Sequence, residues 1–526
     1  MHEVVLLEHR YIAGDSSVLK FSCNVLLDKT SRRTQQGALD LSSLEGRFPK
    51  SEVRRRATLK SYKLHIFMEN FTAGYSHPSN LLPHDDIDNN KNYNNSSCNN
   101  NNNNNEMKGV TKSLLTDAFF QNVLGFRGTV VSWQTFEIPL QKIGLTATCK
   151  AAQNDERIIG LRGFEIKYTP SCGEPATKTL RVVAKCKPLA DRFVDIFGDW
   201  IKQQTGDVRQ YAEMFRHVSY FRKSDVRELK VMKTRDQRFT DIAPKVYHTI
   251  CIPSKEVFVI VMEELTGHVT HFNTIDNAPE VWDQDDIKVI LRDIARFHSI
   301  YLDDVARLLS EPWMCVYSGN VMKALSGFWR ALLHQNHASF PDLWTTARTR
   351  LLNSFIDNLD HVWQVIESFP RTLVHYDFTP RNACIRKREI TMNDKQSEFI
   401  TESKLRRVSC VYDWEMATIH APQHDVVEFL AFVLPAKSDV TTRTNFVRFY
   451  QEQLEKFSGR NFDSEQFMEV FNAVSCVYAL HQLSLKTITH SVTRLPYFER
   501  AVQSHMGFLE DLEAMGRLEF LNVEPR

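Results

Sequence analysis

The sequence predicts an α+β fold in two lobes: a first lobe built on an antiparallel sheet with a helix, and a larger, mostly helical lobe after it. Three observations predict this. SWQTFEIPL, GFEIKYT and TLRVVAKCK are β-rich pieces separated by Gly, Asn and Pro signals, the pattern of consecutive antiparallel strands. VFVIVMEELTG reads as one more strand, buried and running into a linker. Beyond about residue 275 the apolar residues recur at helical spacing instead.

The elements follow in order. Residues 1–76 contain alternating pieces such as SVLKFSCNVLL and SYKLHIFM, consistent with a few strands of an N-terminal extension that carries no chemical motif. Residues 77–110 are a linker, because the Asn-rich tract within them is too polar to bury the surface that would offset its ordering entropy. The first lobe then spans 111–274. KSLLTDAFFQNVLGF opens it with Leu114, Leu115, Phe119, Phe120, Val123 and Leu124 at helical spacing, ending at Gly125. The three β-rich pieces follow, then a helix-like segment, KSDVRELKVMKTRD, and the strands PKVYH and VFVIVM. The second lobe spans 275–520. DDIKVILRDIARFHSIYL sets Ile287, Leu291, Ile294, Phe297 and His298 on one stripe, and segments 350–368, 440–457, 463–487 and 497–514 also read as helices.

Composition narrows the function classes. Of 526 residues, 42% are hydrophobic and 25% charged, which suits a folded globular chain. Lys plus Arg number 65 against 64 Asp plus Glu, so net charge gives no reason to expect nucleic acid or an anionic membrane as partner. VFVIVM is far too short to span a bilayer, and the N-terminus lacks the apolar core of a signal peptide, so a cytoplasmic location is the expectation. The ten cysteines include no CxxC pair; Cys149, Cys186, Cys384 and Cys410 lie in apolar or alternating stretches and read as reduced core residues.

The chemistry concentrates in RTLVHYDFTPRNACIRK. Inside a strand-like run stand His375, Asp377 and Asn382, spaced HxDxxxxN, and 31 residues after Asn382 comes Asp413 with Glu415 in VSCVYDWEMA. Buried polar groups need partners, and this set offers the hard oxygen ligands that Mg²⁺ prefers when phosphates complete its shell. Phosphoryl transfer needs such equipment: one carboxylate to orient the attacking hydroxyl, and ligands for the metal that neutralises the transferred group. Lys185 ends an apolar strand, where its ammonium could reach nucleotide phosphates, and Glu228 is an available partner for it.

The order Lys185, Glu228, VFVIVMEEL, HYDFTPRN, YDWE resembles the protein-kinase-like fold, and within it the aminoglycoside phosphotransferase and choline kinase branch. The triplet Asp413-Trp414-Glu415 stands in place of DFG, and no APE-like segment follows; an activation segment for a peptide substrate has no room. The resemblance covers roughly residues 111–515. It implies that Asp377 is the catalytic base, that Asn382 and Asp413 hold Mg²⁺ with Glu415 nearby, and that Lys185 contacts ATP phosphates with Glu228 holding it. It further implies that Met262, Glu263, Glu264 and Leu265 form the adenine hinge through backbone groups. His375 braces the loop, and Asp425 anchors it or caps the following helix. The implied activity is ATP- and Mg²⁺-dependent phosphorylation of a hydroxyl on a small-molecule alcohol or amino alcohol; the alternative is a catalytically inactive relative that serves as a binding or scaffold protein.

The chain departs from the pattern in two places. No GxGxxG loop is present, the candidates being Gly144 and the pair Gly160 and Gly163, which could equally form an ordinary hairpin turn. Thr379 and Arg381 stand where this branch often has His and Gly; Arg381 either brings charge to the phosphates or pairs with a neighbouring carboxylate. Glu428, Glu499, Asp511 and Glu513 could greet a cationic acceptor, or be surface and helix-end residues.

Overall fold

A computed structural model describes residues 109–138, 145–151, 157–172, 176–389 and 405–518. The expected strands of residues 1–76, the Asn-rich tract and Gly144 lie outside the described residues.

The first lobe is a five-stranded antiparallel sheet in the order β1-β2-β3-β5-β4, with β1 Gly128–Phe136, β2 Gly160–Pro170, β3 Lys178–Cys186, β4 Val246–Ile252 and β5 Val257–Glu263. VFVIVM is buried along its whole length because β5 pairs with β3 on one edge and β4 on the other. The helix Asp117–Leu124 covers the sheet. Thr116 caps it by accepting the Phe119 N–H, and Gly125 ends it with φ 62°. Its Phe120 ring lies 4.4 Å from Trp133 and 5.1 Å from Phe164, inside a core that also takes Val123, Val182, Val259 and Val261.

One crossing between β3 and β4 carries the helix Ser224–Val231, with Glu228 buried on its inner face. After β5 the chain becomes helical. The predicted stripe forms the helix Gln284–His298, capped by Asp283, with Ile287, Leu291, Ile294, Phe297 and His298 all buried. Segment 350–368 is two helices, Thr346–Asp357 and Leu359–Glu367, and segment 463–487 is the helix Ser464–Tyr478 running through a π-helical turn, Ala479–Leu483, into Ser484–Val492. Between the helical groups sit three more small strand pairings. β6 Val269–Thr270, β8 Ala383–Glu389 and β9 Leu405–Val411 form one sheet, and β7 Thr372–Val374 pairs with β10 Thr418–His420. Among the described residues no helix is long and apolar enough to cross a membrane. Cys149, Cys186, Cys384 and Cys410 are buried free thiols, as their apolar settings imply.

Candidate active site

The loop His375–Asn382 joins β7 to β8, and its backbone is held from below by one helix, Gln423–Val433. Asp425 and Glu428 stand three residues apart on this helix, so both carboxylates face the loop. Asp425 accepts the N–H groups of His375 (2.7 Å) and Tyr376 (3.0 Å), and Glu428 accepts that of Phe378 (2.7 Å). The N–H of Asp377 goes to His375 Nδ1 at 3.3 Å. These bonds fix Tyr376 at φ 65°, a left-handed conformation that an aromatic residue adopts only under constraint. Asp425 anchors the loop and does not cap the helix, whose first residue has no side-chain cap. Burial opposes its charge, but the hydrogen bond with His298 and the neighbouring His424 ring hold its carboxyl far below the usual range.

His375 braces. Because its Nδ1 accepts from Asp377 N–H, its Nε2 carries the proton and donates to the Tyr412 carbonyl at 2.9 Å. Tyr412 completes the link: its N–H donates to the Asn382 carbonyl (3.0 Å) and its hydroxyl to the Arg381 carbonyl (2.8 Å). Three hydrogen bonds thus tie the residue before Asp413 to the HxDxxxxN loop. The 31-residue gap between Asn382 and Asp413 closes because β8 and β9 form an antiparallel pair with Ala383 opposite Val411.

Within the loop, Asp377 Oδ2 accepts from Asn382 Nδ2 (2.8 Å) and from the Arg381 guanidinium (3.1 Å). Of the two readings of Arg381, pairing with a neighbouring carboxylate is the observed one. Oδ1 faces the Lys486 ammonium at 3.7 Å, an ion pair beyond hydrogen-bond length. Burial works against ionisation of Asp377, yet Arg381 and Lys486 hold its carboxyl below the ordinary value. It is therefore a charged acceptor able to orient a hydroxyl.

The second cluster lies at the end of β3, with Lys185 in the strand and Lys187 just after it. Residues two apart on a strand share a face, and Lys185 and Lys187 both point at the Ser224–Val231 helix. Lys185 Nζ lies 2.7 Å from Glu228, 2.5 Å from Asp413 and 3.5 Å from Glu415. Lys187 Nζ lies 2.7 Å from Glu228 and 2.6 Å from Glu415. Burial disfavours the Lys185 ammonium, but Asp413, Glu228 and Glu415 raise it well above its ordinary range. Three carboxylates thus surround two ammonium groups. Asp413 is the most exposed of the five, with 34% of its side chain accessible, and its backbone is left-handed at φ 70°.

These residues suit a metal ion and a phosphate chain. Ligand atoms of Glu228, Asp413 and Glu415 lie within 4.8 Å of one another, all oxygens, and a cation, the Lys185 ammonium, already sits among them. Asn382 spends its amide nitrogen on Asp377, which leaves the carbonyl oxygen as its ligating end. Of the hinge residues, Met262 and Glu263 fall inside the β3–β5 register, and the Glu263 carboxylate is bonded to Arg386 (2.7 Å) and to Lys245 N–H (2.8 Å). Glu264 and Leu265 come after the strand ends.

The sequence reading misses or misreads several groups. Glu428 is fully buried, which corrects the surface or helix-end reading; the signal was a lone acid in the apolar run VVEFLAFVL, three residues after Asp425. Lys187 was readable from its i, i+2 relation to Lys185. Lys486 was not, because nothing near it in sequence marks it. Gly163 is not in a turn: it lies within β2 opposite Phe136, and a Cβ there would come within 2.5 Å of that ring.

No family model and no curated protein matches the chain. Among solved structures it is similar to choline kinase LicA from Streptococcus pneumoniae at 9% identity, covering 75% of this chain and 99% of that one, with a TM-score of 0.33. It is likewise similar to the microcompartment-associated aminopropanol kinase (11%, 77% and 99%, 0.34). A third is the GDP complex of aminoglycoside 2'-phosphotransferase-IIIa (13%, 74% and 94%, 0.33).

Proposed function

We propose that the chain is a phosphotransferase that moves the γ-phosphoryl group of ATP, with Mg²⁺, to a hydroxyl of a small molecule. The observation that carries the reading is the junction at Tyr412. Through it, the loop bearing Asp377 and Asn382 is bonded to the strand end bearing Asp413, and Asp413 meets Lys185 and Glu228 of the sheet lobe.

Asn382 and Asp413 would hold the metal, with Glu415 beside it; when bound, it neutralises charge on the phosphate oxygens and the leaving group. Lys185, kept charged by Glu228, binds phosphate oxygens. Lys187 holds Glu228 and Glu415 in place, so that Lys185 can turn from Asp413 to a phosphate without stranding a buried carboxylate. Backbone groups of Glu264 and Leu265 hold the base. Asp377 Oδ1 accepts the hydrogen bond of the acceptor hydroxyl and aims its oxygen at phosphorus. As the new O–P bond forms and the bond to ADP breaks, the hydroxyl proton passes to Asp377, late, because a carboxylate held at low basicity does not remove it beforehand.

The test is thermal stability with ATP, with and without Mg²⁺, for the wild type and Asp413→Asn. Asn is chosen because it tolerates left-handed backbone, where Ala would add strain. Nucleotide at about 100 times its Kd stabilises by roughly 2.7 kcal/mol. Stabilisation that requires Mg²⁺ and is lost in the variant is the expected result; no response in either protein would favour the scaffold reading.

A further inference from the structure

We propose that Lys486 selects the acceptor, and that the phosphorylated hydroxyl compound carries an anionic group, a carboxylate or a phosphate, near its reacting hydroxyl. This rests on the phosphotransferase reading and narrows its substrate class.

The argument starts from the two oxygens of Asp377. Oδ2 is filled by Arg381 and Asn382, so Oδ1 is the oxygen open to an incoming hydroxyl. The Lys486 ammonium stands 3.7 Å from Oδ1. It is not a loose surface charge. Glu428 Oε1 holds it at 3.0 Å, and it lies over the rings of Phe432 and Tyr478, 5.2 and 5.9 Å from their centroids. An ammonium has three N–H donors, and Glu428 takes one of them. Donors therefore remain beside the place an acceptor must occupy.

Around it the charges balance, Arg381 and Lys486 against Asp377 and Glu428, so the preference rests on the spare donors of Lys486. Arg381 is the second cation on Asp377. Glu428, the nearby carboxylate, cannot receive a cationic substrate, since Phe378 N–H and Lys486 already occupy it and it is fully buried. The other acids weighed for that task serve elsewhere: Glu499 faces Arg494 and His490, and Asp511 and Glu513 are exposed on the helix Phe498–Ala514. An amino alcohol bound here would set its ammonium against Lys486, a like-charge contact that costs binding, whereas an anionic group would complete the lysine's hydrogen bonding.

The experiment measures binding of four small hydroxyl compounds to the full chain loaded with Mg²⁺ and a non-hydrolysable ATP analogue: glycerate, glycerol 3-phosphate, glycerol and ethanolamine. Wild type, Lys486→Met and Lys486→Arg are compared. We expect one of the two anions to bind at least about tenfold more tightly than ethanolamine, the choice between them telling carboxylate from phosphate. That preference should vanish in Lys486→Met and persist in Lys486→Arg. The wild-type ranking stands as a test even if the methionine variant fails to fold. Ethanolamine binding as well as the anions, no anion binding, or a preference unchanged in folded Lys486→Met overturns the assignment, and Mg²⁺-dependent nucleotide stabilisation in the same samples would leave the phosphotransferase reading standing. Absence of any nucleotide response overturns that reading and the acceptor assignment with it.

Discussion

Asp425 holds Tyr376 in a left-handed conformation through a 3.0 Å bond from the Tyr376 N–H, while its other oxygen takes the His375 N–H at 2.7 Å. The carboxylate is fully buried, and His298 Nε2 lies 3.1 Å from it. Removing its charge leaves two backbone donors and a histidine competing for a weaker acceptor. Asp425→Asn is expected to lose about 1–3 kcal/mol of stability in urea denaturation, the scale of a buried donor left unsatisfied. Turnover should fall too, since Asp377 follows the strained residue. Wild-type stability in this variant would mean that the loop holds its shape without the anchor.

Acid should weaken the protein through two neutral histidines. Burial drives the rings of His481 and His505 from an ordinary value of 6.5 down to about 3. Below pH 6.5 the unfolded chain takes up a proton at each ring that the folded protein refuses until about pH 3. The contribution is therefore complete above 6.5 and falls with pH through that window, by ~1.4 kcal/mol per unit for each ring. At pH 5 the two together cost ~4 kcal/mol, a large part of a typical domain's stability. His481→Phe keeps the ring stacked on Tyr317 at 4.4 Å, and should reduce the slope of unfolding free energy against pH between 5 and 6 by about one proton's worth. An unchanged slope would mean that His481 is already protonated in the fold.

What the sequence made legible divides along a physical line. HYDFTPRN and YDWE could be read because phosphoryl transfer constrains which donors stand at which spacing along one loop and one strand end. The five strands and the stripe of Gln284–His298 could be read because burial imposes a period. Glu428 and Lys486 could not be read with their roles. Each alone is a charge on a helix, usually solvated, and only a partner 58 residues away turns them into a buried pair. The same holds for Gly163, whose role is set by a ring on the neighbouring strand.

Lys185 of β3 and Lys187 just after it should separate stability from binding. Lys187 has 1% of its side chain exposed and faces two carboxylates. Lys187→Met leaves Lys185 as the one ammonium shared by Glu228, Glu415 and Asp413, and about 3–5 kcal/mol of stability should be lost. Lys185 is less buried, with 15% of its side chain exposed, and reaches Asp413 as well. Lys185→Met keeps Lys187 on Glu228 and is expected to cost less stability, but to lower kcat/KM for ATP by about a hundredfold, roughly 2.7 kcal/mol of transition-state binding. Equal effects of the two substitutions on both quantities would show that the lysines act as one structural unit.

Gly163 decides whether the β2 glycines serve the nucleotide or the sheet. Its backbone is not left-handed, so alanine adds no conformational strain there; the obstacle is the Phe136 ring, within 2.5 Å of the position a Cβ would take. That ring is itself held, with the Arg181 guanidinium 3.9 Å from its centroid. Gly163→Ala must push the ring aside and should cost about 1–3 kcal/mol, as other overpacked sites do. Phe136→Ala removes the obstacle, so the double variant should recover most of the cost of the alanine, a coupling that a double-mutant cycle in urea measures directly. Nucleotide affinity, measured in the same proteins, should be unchanged by Gly163→Ala. A loss of affinity without a loss of stability would return Gly163 to the phosphates, because a sheet-packing glycine has no means of weakening binding while leaving the sheet intact.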